Sequence, residues 1–443
     1  LSRGTSHVAP VVSVDEANRT QSGDKLYLAF FKPVSDNYWQ GNLKKYGLDY
    51  RSRADCGIAR EDEEWTVVDS AGAIAGNCDG TFKPSSRSYW SSQNDGGYVD
   101  RGGVGDRLLA AMPGTPDSVL LPAGVPPDWW AHRNIYTYKG AADGSLVKFI
   151  HANINNADLQ VADDYTRYRI MNFVYGYTYD SKSATNPDPR EKRSWILGDI
   201  IHSEPRLVEY FDPSGVFEKR LIVVGANDGM LHVFDDATGD EVFAFIPKDI
   251  LPRLQEFSDT KTHPYMLDSP PYLFTSSAKD PVSQYNYKTL VFGERRGGKS
   301  YLALDVTDPS PLNWKVKWSI TGGPVSSGGT PGFEELGYSW SKPQFVTLRT
   351  DSSTVKSVLV FGGGYDIQED GFPEAFNDIN ENGRRDSGET HSVTIGGTEE
   401  YDTHNPDKNR YGRGIFVVDA DTGQMIFKAT YGETDVTTGS AQT

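Results

Sequence analysis

The feature that most restricts how this chain can fold is a unit that recurs three times after Trp195. Leu221–Phe245 reads LIVVGANDGMLHVFDDATGDEVFAF and Thr289–Ile320 reads TLVFGERRGGKSYLALDVTDPSPLNWKVKWSI. The third copy starts at Ser357–Gly364 (SVLVFGGG) and is completed after an insertion by Tyr411–Ala429 (YGRGIFVVDADTGQMIFKA). Each copy is an apolar strand ending in Gly, a Gly-containing turn, a second apolar strand ending in Asp235, Asp305 or Asp419, and a third strand. A Ser/Pro element leading into one more strand precedes each: HSEPRLVEY from His202, DSPPYLF from Asp268, SWSKPQFVTL from Ser339. Four short strands in fixed order, with Pro205, Pro271 and Pro343 roughly 70 residues apart, predict the blades of an all-β propeller with long insertions. Stacked blades bury both faces of each sheet and leave few free edges.

The turn after the second strand is Asp-x-x-Thr-Gly at Asp235–Gly239 and Asp419–Gly423. An Asp there accepts backbone N–H bonds, and Gly supplies a positive φ that other residues resist. Phe243 and Phe427 are expected to pack between blades. The middle copy departs at Val306-Thr307-Asp308-Pro309, so its turn must differ. Helical periodicity is scarce outside Ile250–Phe257, whose apolar residues share one face. Residues 26–190 hold strand-like pieces at Leu26–Phe31, Trp65–Asp69, Arg133–Tyr138 and Arg169–Tyr175, expected to form further blades or an insertion on the propeller. Residues 1–25 read as a linker, and 191–443 as blades with an insertion at 366–410.

The 443 residues include 61 Asp+Glu against 44 Lys+Arg, a formal net charge of −17. That balance argues against nucleic acid or anionic lipid as the main partner. No apolar run approaches the ~18 residues of a membrane span. Cys56 and Cys78 are too few for a tetrahedral zinc site, and pair as one disulfide or stay as buried thiols. The start at Leu1, without Met or a signal peptide, suggests a processed or excised piece of something longer.

The sharpest chemical motif is Asp378-Ile-Asn380-Glu-Asn382-Gly383-Arg384-Arg-Asp386-Ser-Gly-Glu389. Oxygen side chains fall at the first, third, fifth, ninth and twelfth positions. Gly occupies the sixth, and Arg384 offers its carbonyl at the seventh, the order of a calcium loop. The flanks are not helical, so the motif reads as a lone Ca2+ loop set between two propeller strands. Gly293–Ser300 (GERRGGKS) matches a phosphate-binding loop letter for letter, but that mechanism needs a helix to follow and YLALDVTDP reads as a strand. The histidines show no metal-ligand spacing, and His202 and His232 are expected to be satisfied core residues. No catalytic nucleophile motif is present, and no catalytic residue is assigned. Asn18-Arg-Thr20 fits a glycosylation sequon, relevant only in a eukaryotic secretory pathway.

LGDIIHSEPRLV, VVGANDGMLHVFDDATGDEVFAFIP, the ALDVTDP blade and the late calcium loop together resemble the C-terminal domain of the PilC/PilY family of type IV pilus proteins. Upstream, FKPVSDNYWQGNLKKYGLD, SYWSSQNDGGYVDRGG and RNIYTY look like the same domain. The resemblance implies a modified seven-bladed propeller and a non-enzymatic, exported pilus-tip protein. It also implies a calcium site regulating pilus extension and retraction, and roles in adhesion and twitching. It carries the metal role onto Asp378, Asn380, Asn382, Arg384 and Asp386; Glu389 is added by the loop spacing alone. Implied partners are pilin and minor pilin subunits and a host or surface receptor. The chain stops where family members continue, so the propeller is expected to be completed by a second polypeptide or to be incomplete in this chain. The alternatives are a quinoprotein-like calcium-dependent dehydrogenase and a calcium-dependent carbohydrate-binding protein using Trp129 and Trp130.

Overall fold

The computed structural model describes residues 24–57, 64–112, 132–178, 192–259, 262–349, 355–366 and 411–430, plus the backbone of four two-residue strands and Glu433–Asp435. The chain divides into two compact units, residues 1–297 with 302–318, and residues 298–301 with 319–443.

The repeat forms sheets as expected. Arg206–Phe211, Phe217–Gly225, Leu231–Asp235 and Glu241–Ile246 pair consecutively into the first blade. Tyr272–Lys279, Asn286–Gly293, Ser300–Asp305 and Lys315–Thr321 follow in the same order, the division between units falling within the last two strands. Gln344–Arg349, Val355–Gly362, Gly414–Asp419 and Met425–Thr430 make the third, with Glu433–Asp435 added at its edge. These are all-β sheets of the propeller type.

Both Asp-x-x-Thr-Gly turns have the expected chemistry. Asp235 Oδ1 accepts the Ala237 and Thr238 N–H groups at 2.9 and 3.1 Å, and Asp419 Oδ1 accepts those of Asp421 and Thr422 at 3.0 Å each. Gly239 and Gly423 take φ of 75° and 68°. In the middle copy Asp305 accepts only Thr307 N–H in this way, and Asp308 turns the chain instead by accepting from Ser310 N–H and the Asn313 amide. Phe243 is fully buried against Trp314 and Tyr136, with ring centroids 5.6 and 5.5 Å away.

Ahead of the blades, Lys25–Lys32, Gln40–Arg51 and Glu64–Val68 form an antiparallel meander. Its period-two alternation separates two faces. Leu26, Leu28, Phe30 and Tyr46 pack with Ala75 and Val99 on one side, while Tyr27, Ala29 and Leu43 enter the main core on the other. Tyr27 and Lys45 both donate to Asp236 Oδ1 at 2.7 Å, pinning the meander to the first blade's turn. Ile135–Thr137 adds to the first blade by pairing parallel with Glu241–Ile246.

One expected strand is a helix. Arg169–Tyr175 lies in the α-helix Asp164–Tyr175, which Asp163 caps by accepting Thr166 N–H at 2.7 Å and Gly176 ends at φ 112°. Its Ile, Phe, Val and Tyr content favours strand, but the two caps and burial of Ile170, Met171, Phe173, Val174 and Tyr175 override that preference. A second helix, Gly103–Ala111, is not among the expected elements, although Val104 and Leu108 stand four apart on its buried face. The Ile250–Phe257 turns are present as the 3-10 helix Leu251–Gln255 running into Glu256–Asp259.

Candidate functional site

The six expected calcium ligands, Asp378, Asn380, Asn382, Arg384, Asp386 and Glu389, lie outside the described residues, as do Trp129 and Trp130. The structure does describe the base of the insertion that carries the calcium motif. The outgoing stem leaves Val355–Gly362, the return stem enters Gly414–Asp419, and these two strands are paired neighbours. Gly363 N–H donates to Gly414 carbonyl at 2.6 Å. Tyr365 exchanges both backbone bonds with Tyr338, at 2.8 and 2.9 Å, and Gly412 N–H donates to Glu335 carbonyl at 2.9 Å. Glycine is needed here because the stems touch through backbone: a Cβ on Gly363 would lie 2.7 Å from Gly412 O, and one on Gly364 would lie 2.1 Å from Tyr338 O.

The Gly293–Ser300 segment behaves as a strand-to-strand turn. Arg295–Gly297 is one 3-10 turn, and Ser300–Asp305 is the strand that follows, so no helix N-terminus faces a phosphate. Lys299 Nζ instead lies 3.8 Å from the Tyr411 ring centroid and 5.9 Å from that of Tyr338. Burial pulls its pKa down, against the attraction of Asp366.

A cluster of buried charges lies at the first blade. Arg133 Nε and Nη2 donate to Glu241 at 2.6 and 2.7 Å, and Arg133 Nη1 donates to Val174 carbonyl at 2.8 Å. His232 Nδ1 stands 2.7 Å from Glu241 Oε1 and its Nε2 3.1 Å from both Asp228 oxygens. Burial resists the imidazolium, yet Asp228 and Glu241 outweigh it and push the His232 pKa up to about 9. Burial likewise resists the Glu241 carboxylate, which Arg133 and His232 hold down at about 2. His232 is thus the satisfied core residue expected, but as a charged one. Nearby in the blade loops, His263 Nε2 meets Asp199 Oδ1 and His202 Nδ1 meets Asp268 Oδ2, each at 2.7 Å.

These groups are arranged to hold one another. Among the described residues, Asp55, Cys56 and Cys78 alone bring three possible metal-ligand atoms together, and both sulfurs are consumed in the Cys56–Cys78 disulfide. A pH prediction follows from His232. Its folded pKa lies above the ordinary 6.5, so its stabilisation is complete below that pH and is lost as pH rises through about 9. Denaturation midpoints are expected to fall between pH 7 and 10 for the wild type and to flatten in His232→Gln; equal slopes would contradict the assignment.

A model of the PilY1 beta-propeller domain matches residues 209–373. Type IV pilus biogenesis factor PilY1 of Pseudomonas aeruginosa (strain PAK) is 28% identical over 375 residues, covering 79% of this chain and 26% of that protein. The blades of this chain are similar to a PilY1-type propeller domain. A Type IV pilus biogenesis factor PilY1 homolog of Xylella fastidiosa (strain Temecula1) is 34% identical over 275 residues, 53% of this chain and 21% of its own. The solved Pseudomonas aeruginosa PilY1 C-terminal domain is 26% identical and overlays with a TM-score of 0.30, covering 50% of this chain and 33% of that one. The chain spans about a quarter of the length of the PilY1 relatives it matches.

The PilY1 match begins in the first blade's opening strand and runs into the insertion, so it takes in Asp228, His232 and Glu241. Sequence reasoning missed Arg133 as their partner. The one available signal was RNIYTY itself, an Arg placed directly before a strand of apolar residues, where an unpaired charge is costly to bury. No helix among the described residues is long and apolar enough to cross a membrane.

Proposed function

We propose that this chain is a non-enzymatic, calcium-binding module of a type IV pilus biogenesis factor, acting at the cell surface on pilus extension, retraction and adhesion. The observation that carries the pilus part is the PilY1-type match across the blades, together with the relatives' own description as type IV pilus biogenesis factors. The calcium part rests on the ligand order from Asp378 to Glu389. Carboxylates at Asp378, Asp386 and Glu389 crowded around one turn repel one another unless a cation neutralises them. An ion bound there would order the loop and fix its surface, and the carboxylates would repel one another without it.

The reading takes pilin and minor pilin subunits and a surface receptor as partners, and a further polypeptide completing the propeller. A partly uncovered sheet face, on which Val358 is buried, supports the last of these. In the first blade, Val208, Leu221, Val223, Leu231, Val233 and Phe243 share one face and are all fully buried. The positions in the same register of the third blade include Val346, Leu348 and Ile415, exposed to 42%, 39% and 51%. Such a face is suited to another β-sheet.

Native mass spectrometry of the purified chain, with and without a chelator, tests the calcium assignment. One calcium is expected, lost to the chelator and absent from Asp386→Ala. No calcium, or a bound quinone, would overturn it. In cells, Asp386→Lys should imitate the filled site and Asp386→Ala the empty one, giving opposite effects on pilus number. If both variants leave pilus display and twitching unchanged, the switch is wrong.

A further inference from the structure

The lysine of the GERRGGKS segment has no phosphate to bind, and its position at the base of the 367–410 insertion gives it a different task. From its acids and bases, that insertion carries 11 Asp+Glu against 4 Lys+Arg, a net −7 of the chain's −17.

We propose that Lys299 is the positioning residue that fastens the two stems of this insertion: its ammonium, seated on the Tyr411 ring and flanked by Tyr338, ties the return stem to the blade at the point where Tyr338 bonds the outgoing stem. Three observations support it. Tyr411 is the first described residue of the return stem and Asp366 the last of the outgoing one, so a single side chain addresses both. The segment presenting Lys299 is itself held on both sides. Gly298 carbonyl accepts from Ser339 N–H at 2.9 Å and from Ser339 Oγ at 3.2 Å, and Lys299 carbonyl accepts from Gly322 N–H at 3.0 Å. Finally, Tyr338, whose ring flanks the ammonium, is the residue that bonds Tyr365 of the outgoing stem through its backbone.

A cation lying on an aromatic ring in a half-buried site gains more from the ring's negative face than it would in open water. Glycines occupy positions 363, 364, 412 and 414, and on the outgoing stem Tyr365 also packs against Trp340, with ring centroids 5.0 Å apart. Losing the ammonium removes the side chain seated on Tyr411 at the point where Tyr338 bonds the outgoing stem. The tether needs no metal, so it goes beyond the calcium reading and can fail separately from it.

The test uses the whole chain without calcium and compares wild type with Lys299→Met, Lys299→Arg and Tyr411→Leu. Hydrogen exchange is followed at the amides of Gly363, Tyr365 and Gly412, and at the strands Val355–Gly362 and Gly414–Asp419. Cleavage of the insertion by a Glu-specific protease is timed in parallel. Lys299→Met is expected to speed stem exchange and cleavage about tenfold while the strands keep their protection, and Lys299→Arg to restore most of both, since a guanidinium also stacks on Tyr. Tyr411→Leu should reproduce the Met result, which keeps the test decisive if Lys299→Met folds poorly. Stem exchange within twofold of wild type in both Lys299→Met and Tyr411→Leu would overturn the proposal. So would a uniform rise across the strands, which would make the lysine a general contributor to stability. Adding calcium to each variant then tests the metal site independently.

Discussion

Arg133→Met is expected to cost about 3–5 kcal/mol of unfolding free energy, among the largest effects any single substitution in the first blade can have. Arg133 is buried and binds Glu241 with two nitrogens while a third caps the Val174 carbonyl near the end of the Asp164–Tyr175 helix. Methionine fills much of the same volume but leaves Glu241 buried with His232 as its remaining charged partner, and leaves the carbonyl without its donor. The destabilisation comes from the orphaned carboxylate more than from the lost attraction. A double variant, Arg133→Met with Glu241→Gln, should therefore cost less than the sum of the two single changes. Urea denaturation of the four proteins of this cycle measures the coupling. A loss below about 1 kcal/mol for Arg133→Met, or simple additivity, would show that the pair contributes little.

That network also marks where reading the sequence stops working. The blades were legible because their signal is redundant: alternation, a Gly at the end of one strand and an Asp at the end of the next recur in every copy. Asp235 and Asp419 act as turn acceptors from local bonds alone, within four residues. The divergent Val306–Pro309 turn was legible as a departure for the same reason. The Arg133–Glu241–His232 cluster depends on segments 108 residues apart, and no local pattern records which buried charge will meet which. The helix at Asp164–Tyr175 was misread because β-branched and aromatic residues dominate its interior. Its caps, Asp163 and Gly176, are single residues easily outvoted by seven apolar-looking positions. The insertion offers the reverse case: its ligand order is explicit in the sequence, whereas Lys299 at its base shows its role only once the chain is folded.

Reducing or removing the Cys56–Cys78 bridge is expected to cost about 3 kcal/mol, and the loss should be confined to the first meander at moderate denaturant. The two cysteines are 22 residues apart, and the bridge removes the freedom that a loop of this length has in the unfolded chain. Between them lies Glu64–Val68, the outer strand of the meander, whose other edge pairs among the described residues only at its end, through Val68 with Ile74 and the Ala75 N–H donating to Val67 carbonyl at 2.9 Å. The bridge thus fastens an element with few other attachments. Its surroundings add to it: Arg53 donates to Asp55 at 3.0 Å and to the Gly76 carbonyl at 3.1 Å, tying the two sides of the closed loop even when the sulfurs are apart. For that reason the paired variant Cys56→Ser/Cys78→Ser should still fold, with the blades intact. Trp65 is 65% exposed and stacks edge-on with Tyr50 across the strands, so it reports on this sheet locally. Because Trp39, Trp90 and Trp195 also lie by the meander, the difference in fluorescence between each protein and its Trp65→Phe counterpart isolates the signal. The variant should then show the Trp65 transition at lower urea than the far-ultraviolet signal of the blades, where the bridged protein shows the two closer together. Coincident, unshifted transitions in both proteins would mean that burial of Leu26, Leu28, Phe30 and Tyr46 holds the meander without the bridge.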